Sequence, residues 1–332
     1  MDFELFMCQA EFMDILADIL KTAGLKKRIL RQNTSDGPWA MQFPCSHSMG
    51  FHVLTQGEAW LWSGSEAIPQ PLKRGTIAFM ARGTPHFISS HPDRALLETA
   101  APAEICQHFE KPKISSKRSG QVPPLVSMVS GAYQLWNEPI HPLFRELPEW
   151  VIIQAEQLNY ADALQHALQL LALEQGAPSL GSEAIVSGLL DILFHLILRR
   201  ILDSEVTRNH TWSKAVKDPA LNQALQLMHG KPSHDWSLEE LAAAAGLSRS
   251  GFALRFKQVL GDTPHHYLTT LRILQAMERL NESDENLENV ARAVGYQDAF
   301  AFSKAFKKAL GLSPKAFRQK NRAERQLVWK FS

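Results

Sequence analysis

The chain has 332 residues, with 35 Lys and Arg against 34 Asp and Glu, so its formal net charge is +1. Apolar residues make up 45% and charged residues 21%, which excludes a disordered chain, because such chains are poor in apolar residues and strongly charged. The length favours two domains over one. The three cysteines, Cys8, Cys45 and Cys106, are far apart, which argues against a disulfide framework and indicates a reducing compartment.

The sequence predicts neither an export signal nor a membrane span. Its first residues are acidic where a signal peptide needs a basic region. The most apolar stretch, 185–202, is interrupted by Asp191, His195, Arg199 and Arg200, whereas a spanning helix needs about 20 nearly uncharged residues. We therefore expect a cytoplasmic protein with no membrane partner.

The first 110 residues predict one helix followed by a strand-rich domain. Apolar residues in 11–22 recur at helical spacing. From about 25 to 110, short apolar runs rich in aromatic and β-branched residues alternate with Gly and Pro, which is typical of antiparallel strands in a sandwich or barrel. The clearest of these runs are 51–57, 59–64, 76–83 and 86–89.

Residues 111–217 predict a connecting region with two helices. Residues 111–148 are rich in Pro, Ser and Lys and include a candidate strand near 125–129. Helical spacing returns in 156–173 and 183–202, and these two helices either form a subunit interface or cover the strand-rich domain. The polar segment 203–217 is predicted to be a linker.

The nearly neutral net charge hides an asymmetry between the two parts of the chain. Residues 218–332 hold 16 Lys and Arg against 12 Asp and Glu, a net of +4, which leaves a net of −3 for residues 1–217. A basic module behind an acidic body indicates a nucleic-acid partner for the module, although most basic runs are simply solvated surfaces.

The basic module contains an internal repeat. Residues 238–264 and 287–314 match at an offset of 49 before the central glycine and of 50 after it. Each copy predicts a short helix, a turn at Gly246 or Gly295, and a second helix, which is the helix-turn-helix arrangement. A helix over 264–280 joins the copies, and Thr263-Pro264 and Ser313-Pro314 are helix-start signals.

The module resembles the DNA-binding domain of the AraC/XylS family of transcription regulators. The resemblance rests on WSLEELAAAAGLSRSGFALRFKQVLGDTPHHYL and on LENVARAVGYQDAFAFSKAFKKALGLSPKAFR, of which residues 295–318 carry the family pattern unbroken. It covers about 218–320 and implies two helix-turn-helix units, about 238–259 and 287–310, within a domain over 218–325. The recognition helices, about 249–259 and 299–310, would enter successive major grooves about 34 Å apart.

The resemblance also implies which side chains face DNA. Lys304 is the best candidate for a base-edge or phosphate contact, and Lys257, Lys307 and Lys308 for phosphate contacts. Ala253 and Leu254 depart from the polar residues common in the family, so the first unit is expected to read thymine methyl groups and DNA shape. The remaining outward positions are Arg249, Ser250, Asp298, Ala299, Ala301 and Ser303.

The strand-rich segment looks like a cupin, a jelly-roll β-barrel that is usual in regulators of this family. GTIAFMARGTPHFISS (75–90) matches a cupin motif at Gly75, Gly83 and His86. A metal site would need three or four converging ligands, and His52 and His86 could supply two, with Cys45 or His47 offering others. The alternatives are structural histidines, an organic-effector pocket, or redox sensing by Cys45 or Cys106.

The sequence therefore predicts an α+β chain in three parts: a helix and cupin-like sensor (1–110), a connecting segment with dimerisation or cover helices and a linker (111–217), and an all-α double helix-turn-helix domain (218–325). It would be a homodimeric regulator that binds double-stranded promoter DNA, responds to a small-molecule, metal or redox effector, and contacts RNA polymerase if it is an activator. The first rival is a cupin oxygenase or isomerase with an appended DNA-binding module. The second is a helical scaffold without a DNA partner.

Overall fold

The structure is a computed structural model, and it describes residues 14–22, 26–34, 38–43, 45, 48–64, 67–102, 126–134, 141–158, 161–176, 179–204 and 211–326. Contacts divide the chain into two compact units. The barrel unit comprises Lys26–Gln134 and Leu147–Ser204, together with the undescribed Trp329–Ser332. The helical unit comprises Met1–Leu25, Leu135–Glu146 and Glu205–Val328.

The barrel unit is built from two five-stranded sheets. One sheet has the order β1-β9-β3-β6-β10, and all its pairs are antiparallel. The other has the order β5-β4-β7-β2-β8, antiparallel except where β2 meets β8. The strands are β1 (Lys26–Thr34), β2 (Ala40–Phe43), β3 (Ser48–Gln56), β4 (Glu58–Trp62), β5 (Gln70–Lys73), β6 (Ile77–Met80), β7 (His86–Ser89), β8 (Ala101–Pro102), β9 (Val126–Gln134) and β10 (Trp150–Ile153).

Three strands of the first sheet, β3, β6 and β9, are buried on both faces along most of their length, which the side-chain alternation of strands explains. Alternate residues point inward to a core shared by both sheets, made of Met41, Phe43, Cys45, Leu54, Ala59, Leu61, Leu72, Ala78, Met80, Ile88, Val126 and Met128. The intervening residues include Phe79 and Tyr133, whose rings contact Phe194. Phe194 belongs to a helix over Ser182–Asp203, so this helix covers the outer face of the sheet.

The region predicted to connect the domains contains the strands β9 and β10 and four helices. The helices span Pro142–Glu146, Ala163–Gly176, Ser182–Asp203 and Thr211–Lys217. Short 3-10 helices span Arg94–Thr99 and Ala155–Gln157. The segment predicted as a linker thus contains a helix, Thr211–Lys217, because Trp212 and Ala215 are buried in the helical unit. Among the residues described, no helix is long and apolar enough to span a membrane.

The helical unit contains both predicted helix-turn-helix units. The first consists of Leu238–Ala244 and Arg249–Leu260, and the second of Leu287–Ala293 and Ala299–Leu310. A helix over Pro264–Glu282, which we call the linking helix, joins them. Helices over Ile15–Thr22, Pro219–Gly230 and Pro314–Gln326 complete the unit. These elements confirm the predicted α+β class with its strand-rich first part and all-α last part.

The predicted glycine turns and the predicted helix starts at Thr-Pro and Ser-Pro are present in the structure. Gly246 and Gly295, at the two turns, have φ of +65° and +88°, a region that glycine occupies without a side-chain clash. Thr263 accepts a hydrogen bond from the backbone N–H of His266, and Ser313 accepts one from that of Ala316. Each hydroxyl therefore caps a helix whose first residue is the following proline.

The helical unit also includes two segments from outside the predicted DNA-binding domain. Helix Ile15–Thr22 contributes Asp18, which accepts a hydrogen bond from the buried ring of His229 at 2.6 Å. The hydroxyl of Tyr267 lies 2.7 Å from the other ring nitrogen of His229 and 3.5 Å from Nε2 of His141. This chain of polar groups ties both segments to the linking helix, so the structure groups residues 15–22 with the helices rather than with the strands. The predicted domain boundaries stay predictions.

We predict that Asp18→Ala lowers the free energy of unfolding by about 1–3 kcal/mol, because it leaves a buried ring N–H of His229 without its acceptor. Urea unfolding of the full-length chain measures the change. Lys21→Ala, on the same helix, is the control, since the exposed ammonium of Lys21 lies 4.0 Å from Glu278 and such pairs contribute at most about 1 kcal/mol. Equal losses in both variants would contradict the role given to Asp18.

Candidate nucleic-acid interface and barrel site

The recognition helices lie where the sequence predicts them. The first spans Arg249–Leu260 and begins at Ser248, whose hydroxyl accepts a hydrogen bond from the backbone of Gly251. The second spans Ala299–Leu310 and begins at Asp298, whose carboxylate accepts one from Ala301 at 2.7 Å. Both end at a glycine with positive φ. Each helix therefore has a capped N-terminus and a fixed length.

Each recognition helix buries one face and exposes the opposite face. Phe252 and Phe256 in the first helix and Phe302 and Phe306 in the second are completely buried. Three of the predicted DNA-facing residues are half-buried: Ala253, Ala299 and Ser303. The other nine are exposed: Arg249, Ser250, Leu254, Lys257, Asp298, Ala301, Lys304, Lys307 and Lys308.

The exposed charges differ in their partners. Arg249 pairs with Glu239 at 2.8 Å, and the carboxylate of Asp298 is engaged in capping its own helix. Within the described part of the chain, no carboxylate lies within ion-pair distance of Lys304, Lys307 or Lys308. These three ammonium groups share one face of the second helix, because their spacing of three and four residues matches the helical repeat. The second helix thus presents the stronger positive charge.

The structure adds one residue that the sequence interpretation missed. Phe300, in the first turn of the second recognition helix, is 81% exposed, and the helical repeat places it one turn from Lys304. Its neighbours Phe302 and Phe306 are core residues, and Phe300 was not among the predicted outward positions. The sequence signal that identifies Phe300 is its helical spacing from residues 304, 307 and 308, which places all four on the face opposite the core positions.

The orientation of the two helix-turn-helix units is held by Arg272 of the linking helix. Its guanidinium donates hydrogen bonds to the carbonyl oxygens of Pro232 and His234 at 2.8 and 2.9 Å, and it lies 5.9 Å from the ring centre of Tyr296. A Cβ at Gly295 would lie 2.8 Å from the carbonyl oxygen of Ser233. The turn of the second unit thus packs directly on a loop of the first.

The barrel interior holds a hydrogen-bonded pair of buried histidines. Nε2 of His52 lies 2.8 Å from Nε2 of His86. Nδ1 of His52 lies 2.6 Å from the hydroxyl of Ser130, and Nδ1 of His86 lies 2.8 Å from the carbonyl oxygen of Thr84. Phe43 stacks on the ring of His86 at 4.9 Å. The structure thus brings His52 and His86 together in the barrel interior.

Burial fixes the protonation of this pair. It lowers the pKa of His52 well below its usual range, and the nearby His86 lowers it further. Burial also lowers the pKa of His86 to about 4, against an opposing hydrogen bond to Thr84. Both rings are neutral at pH 7, so His86 donates Nδ1–H to Thr84 and accepts at Nε2 from His52. Ser130 then donates to Nδ1 of His52, and every polar atom of the pair has a partner.

Of the remaining candidate ligands, Cys45 is the one that lies among the described residues. Cys45 is buried in the core of the barrel, and burial raises the pKa of its thiol to about 12, which suppresses the reactive thiolate. His47 and Cys106 lie outside the described residues. Among the residues that are described, no three His, Cys, Asp or Glu side chains form a group that could hold a metal ion.

Comparison with known proteins gives two family matches. Residues 14–203 match a family model described as a cupin, and residues 241–320 match one described as a helix-turn-helix domain. The first match spans more than half of the chain and includes the barrel unit's described strands and the histidine pair. The second includes both recognition helices.

Curated relatives are similar over nearly the whole chain. A "Putative AraC-like transcription regulator" of Streptomyces antibioticus is 28% identical over 92% of this chain and 99% of its own length. The "HTH-type transcriptional regulator MtrA" of Neisseria gonorrhoeae is 29% identical over 92% and 98%. The "HTH-type transcriptional regulator AlkR" of Acinetobacter baylyi is 27% identical over 93% and 100%. With a cupin domain in front of a DNA-binding helix-turn-helix domain, the chain belongs to the AraC family of transcription regulators.

Proposed function

We propose that the chain is a cytoplasmic, one-component regulator in which the barrel binds a small signal and the helical unit binds promoter DNA as part of a homodimer. The observation that carries the proposal is the pair of capped recognition helices, each with a buried aromatic face and an exposed face that ends in lysines. Signal binding would shift the equilibrium between arrangements of the two DNA-binding units.

The lysines of the second recognition helix support two kinds of DNA contact. Lys304 lies in the middle of the exposed face, where it reaches guanine acceptors in the major groove. Lys257, Lys307 and Lys308 lie nearer the C-terminal ends of their helices and are assigned to phosphates, which position the protein without reading sequence. The first helix offers Leu254 at the position that matches Lys304, so the two half-sites are expected to differ in sequence.

The dimer is proposed on an apolar surface of the barrel unit. The helices Ala163–Gly176 and Ser182–Asp203 pack against each other, and the second also covers the sheet. On their outer sides, Leu170, Leu173, Ile185 and Ile192 are exposed by 48 to 71%. An apolar patch of this kind on helices is typical of a protein interface. We assign it to a second copy of the chain.

The signal is proposed to be a small molecule with a hydrogen-bond acceptor. The indole Nε1 of Trp150 is buried without a hydrogen-bond partner, and its ring lies 4.9 Å from that of His86. An unpaired buried donor costs about 1–3 kcal/mol, which an acceptor on a ligand would recover. The raised pKa of the Cys45 thiol disfavours it as a redox sensor, and among the described residues the two converging histidines are fewer ligands than a cupin metal needs.

A cupin oxygenase with an appended DNA-binding module remains the alternative function. It would require a metal bound by the histidine pair with further ligands, and the relatives that span this chain are regulators by name. Activation through RNA polymerase is an expectation carried from the family resemblance.

We predict that Lys304→Ala lowers the affinity for the specific DNA site by about 5- to 150-fold, because a base-edge contact contributes about 1–3 kcal/mol. The measurement is fluorescence anisotropy of the full-length chain with upstream DNA from its own gene. Lys73→Ala removes the same charge from an exposed strand position of the barrel and should bind as the wild type does. Unchanged operator affinity in Lys304→Ala would refute the assignment.

In the same assay, Lys308→Ala distinguishes a phosphate contact, which positions the protein on DNA, from a base contact, which determines sequence preference. A lost phosphate contact lowers affinity for all duplexes and reduces the salt slope of the logarithm of affinity by about one. A wild-type affinity that does not decline with salt would refute DNA binding itself and favour a helical scaffold.

We predict that the chain is a dimer and that Ile192→Glu makes it a monomer, because the carboxylate would be buried unpaired in an apolar interface. Sedimentation of both proteins at one concentration measures this. Ile68→Glu is the matched control, since Ile68 is an exposed isoleucine of the barrel unit, 87% exposed, and its variant should stay dimeric. A dimeric Ile192→Glu variant would remove this surface from the interface.

We predict that acid destabilises the barrel through the histidine pair. The unfolded chain takes up a proton at each histidine near pH 6.5, but native His86 does so only near pH 4, so stability falls as the pH falls between these values. The expected slope is about 1.4 kcal/mol per pH unit per histidine relative to His52→Gln/His86→Gln. Urea unfolding measures it, with the exposed-site variant His265→Gln as control. A melting temperature at pH 7 that a chelator lowers would instead show a metal on the pair.

A further inference from the structure

Phe300 is exposed on the face of the helical unit that carries the second recognition helix's positive charge. Its side chain is 81% exposed, and among the described phenylalanines it is the one on the surface. It is the second residue of its helix, and residues 304, 307 and 308 follow it on the same face. Burying a phenyl ring is favourable by about 1.5–3 kcal/mol relative to leaving it exposed to water, and contact with a bound partner would provide this free energy.

The charge beside the ring favours a polyanion as the partner. Lys304, Lys307 and Lys308 follow Phe300 on one helical face, and in the described structure none of them has a carboxylate partner. A protein surface that docked there would have to supply the compensating charges around one apolar contact. Duplex DNA supplies both, because its phosphates are anionic and its major groove contains one apolar group, the C5 methyl of thymine.

The internal repeat gives the position of Phe300 a counterpart in the first unit. At the offset of 50 residues, Ser250 corresponds to Phe300 and Leu254 to Lys304. Leu254 is 59% exposed. Each recognition helix therefore presents one large apolar side chain, in the second turn of the first helix and in the first turn of the second. These two side chains lie at different distances from the starts of their helices, so on DNA they would face different base positions in their half-sites.

We propose that Phe300 is a specificity-determining residue that reads the methyl group of a thymine in the half-site bound by the second recognition helix. This inference rests on the proposed DNA-binding function. The ring has neither donor nor acceptor, so a cytosine or adenine edge placed against it would lose its hydrogen bond to water without a replacement. Phe300 thereby favours thymine, while Lys304 one turn later favours guanine or a phosphate.

Thymine-to-deoxyuridine replacement tests the inference, because it removes one methyl group and keeps base pairing. The probe is the duplex that the full-length chain enriches from a randomised library, with each thymine replaced singly. For the wild-type chain, replacement at one position of the second half-site should weaken binding about fourfold, the effect of one buried methyl group. Phe300→Ala should bind the unmodified duplex more weakly and show no further loss at that position.

Matched variants separate this reading from a general loss of affinity. Leu254→Ala should keep the sensitivity at the Phe300 position and lose sensitivity at a thymine of the other half-site. Phe300→Gln should change the enriched base from thymine towards adenine, which glutamine recognises with two hydrogen bonds. Leu312→Ala, a change at another exposed apolar residue of the helical unit, should match the wild type at every position.

Three outcomes would overturn the inference. Phe300→Ala with wild-type sensitivity to every deoxyuridine replacement would show that the ring does not read a methyl group. Phe300→Ala with unchanged affinity for the enriched duplex would assign the ring to a protein partner instead. Failure of the wild-type chain to enrich any sequence, with no salt-dependent binding, would overturn the proposed DNA-binding function together with this inference, and is thereby distinguishable from the first two.

Discussion

The arrangement of the two recognition helices depends on the linking helix, Pro264–Glu282, because its side chains are shared between two small cores. Its first half packs on the first unit, where the rings of Tyr267 and Phe256 lie 5.7 Å apart. Its second half belongs to the core of the second unit, which includes Ile273, Leu274, Ala276, Met277, Leu280, Val290, Ala291, Val294, Phe302, Phe306 and Phe317. A helix buried at both ends is a rigid connector, so neither unit turns without disrupting a core.

Arg272 adds a polar lock at the middle of that helix. Its hydrogen bonds to the 232–234 loop and its place beside Tyr296 hold the first unit's loop against the second unit's turn. The close approach of Gly295 to Ser233 explains why this turn needs glycine for space as well as for its positive φ. Two independent constraints, an apolar core and a guanidinium, therefore fix the relative orientation of the two helix-turn-helix units, which binding to two half-sites requires.

Sequence patterns predicted the local elements well and the long-range pairings poorly. The recognition helices begin at Arg249 and Ala299 as predicted, because caps, glycines and prolines are local signals. Strand β9 confirms the candidate strand near 125–129, whereas β10 arises from a segment assigned to connections and helices, since its β character depends on pairing with β6. The contact of Asp18 with His229 joins residues 211 apart and leaves no periodic trace. Phe300 was not among the predicted outward positions, although its spacing from residues 304, 307 and 308 places it on the same exposed helical face.

Two of the points where the chain passes between the units lie at the ends of one strand pair, β1 and β9. Ser130, which donates to His52, lies in β9, and the end of β9 at Gln134 pairs with the start of β1 at Lys26. The chain passes into the helical unit immediately before β1 and immediately after β9. These two passages lead to Asp18 and His141, which the hydrogen-bonded chain through His229 joins to Tyr267. The chain also passes between the units after Glu146 and after Ser204, so the strand pair β1 and β9 supplies two of the covalent connections between the barrel unit and the helical unit, and the hydrogen bond from Ser130 links the buried histidine pair to it.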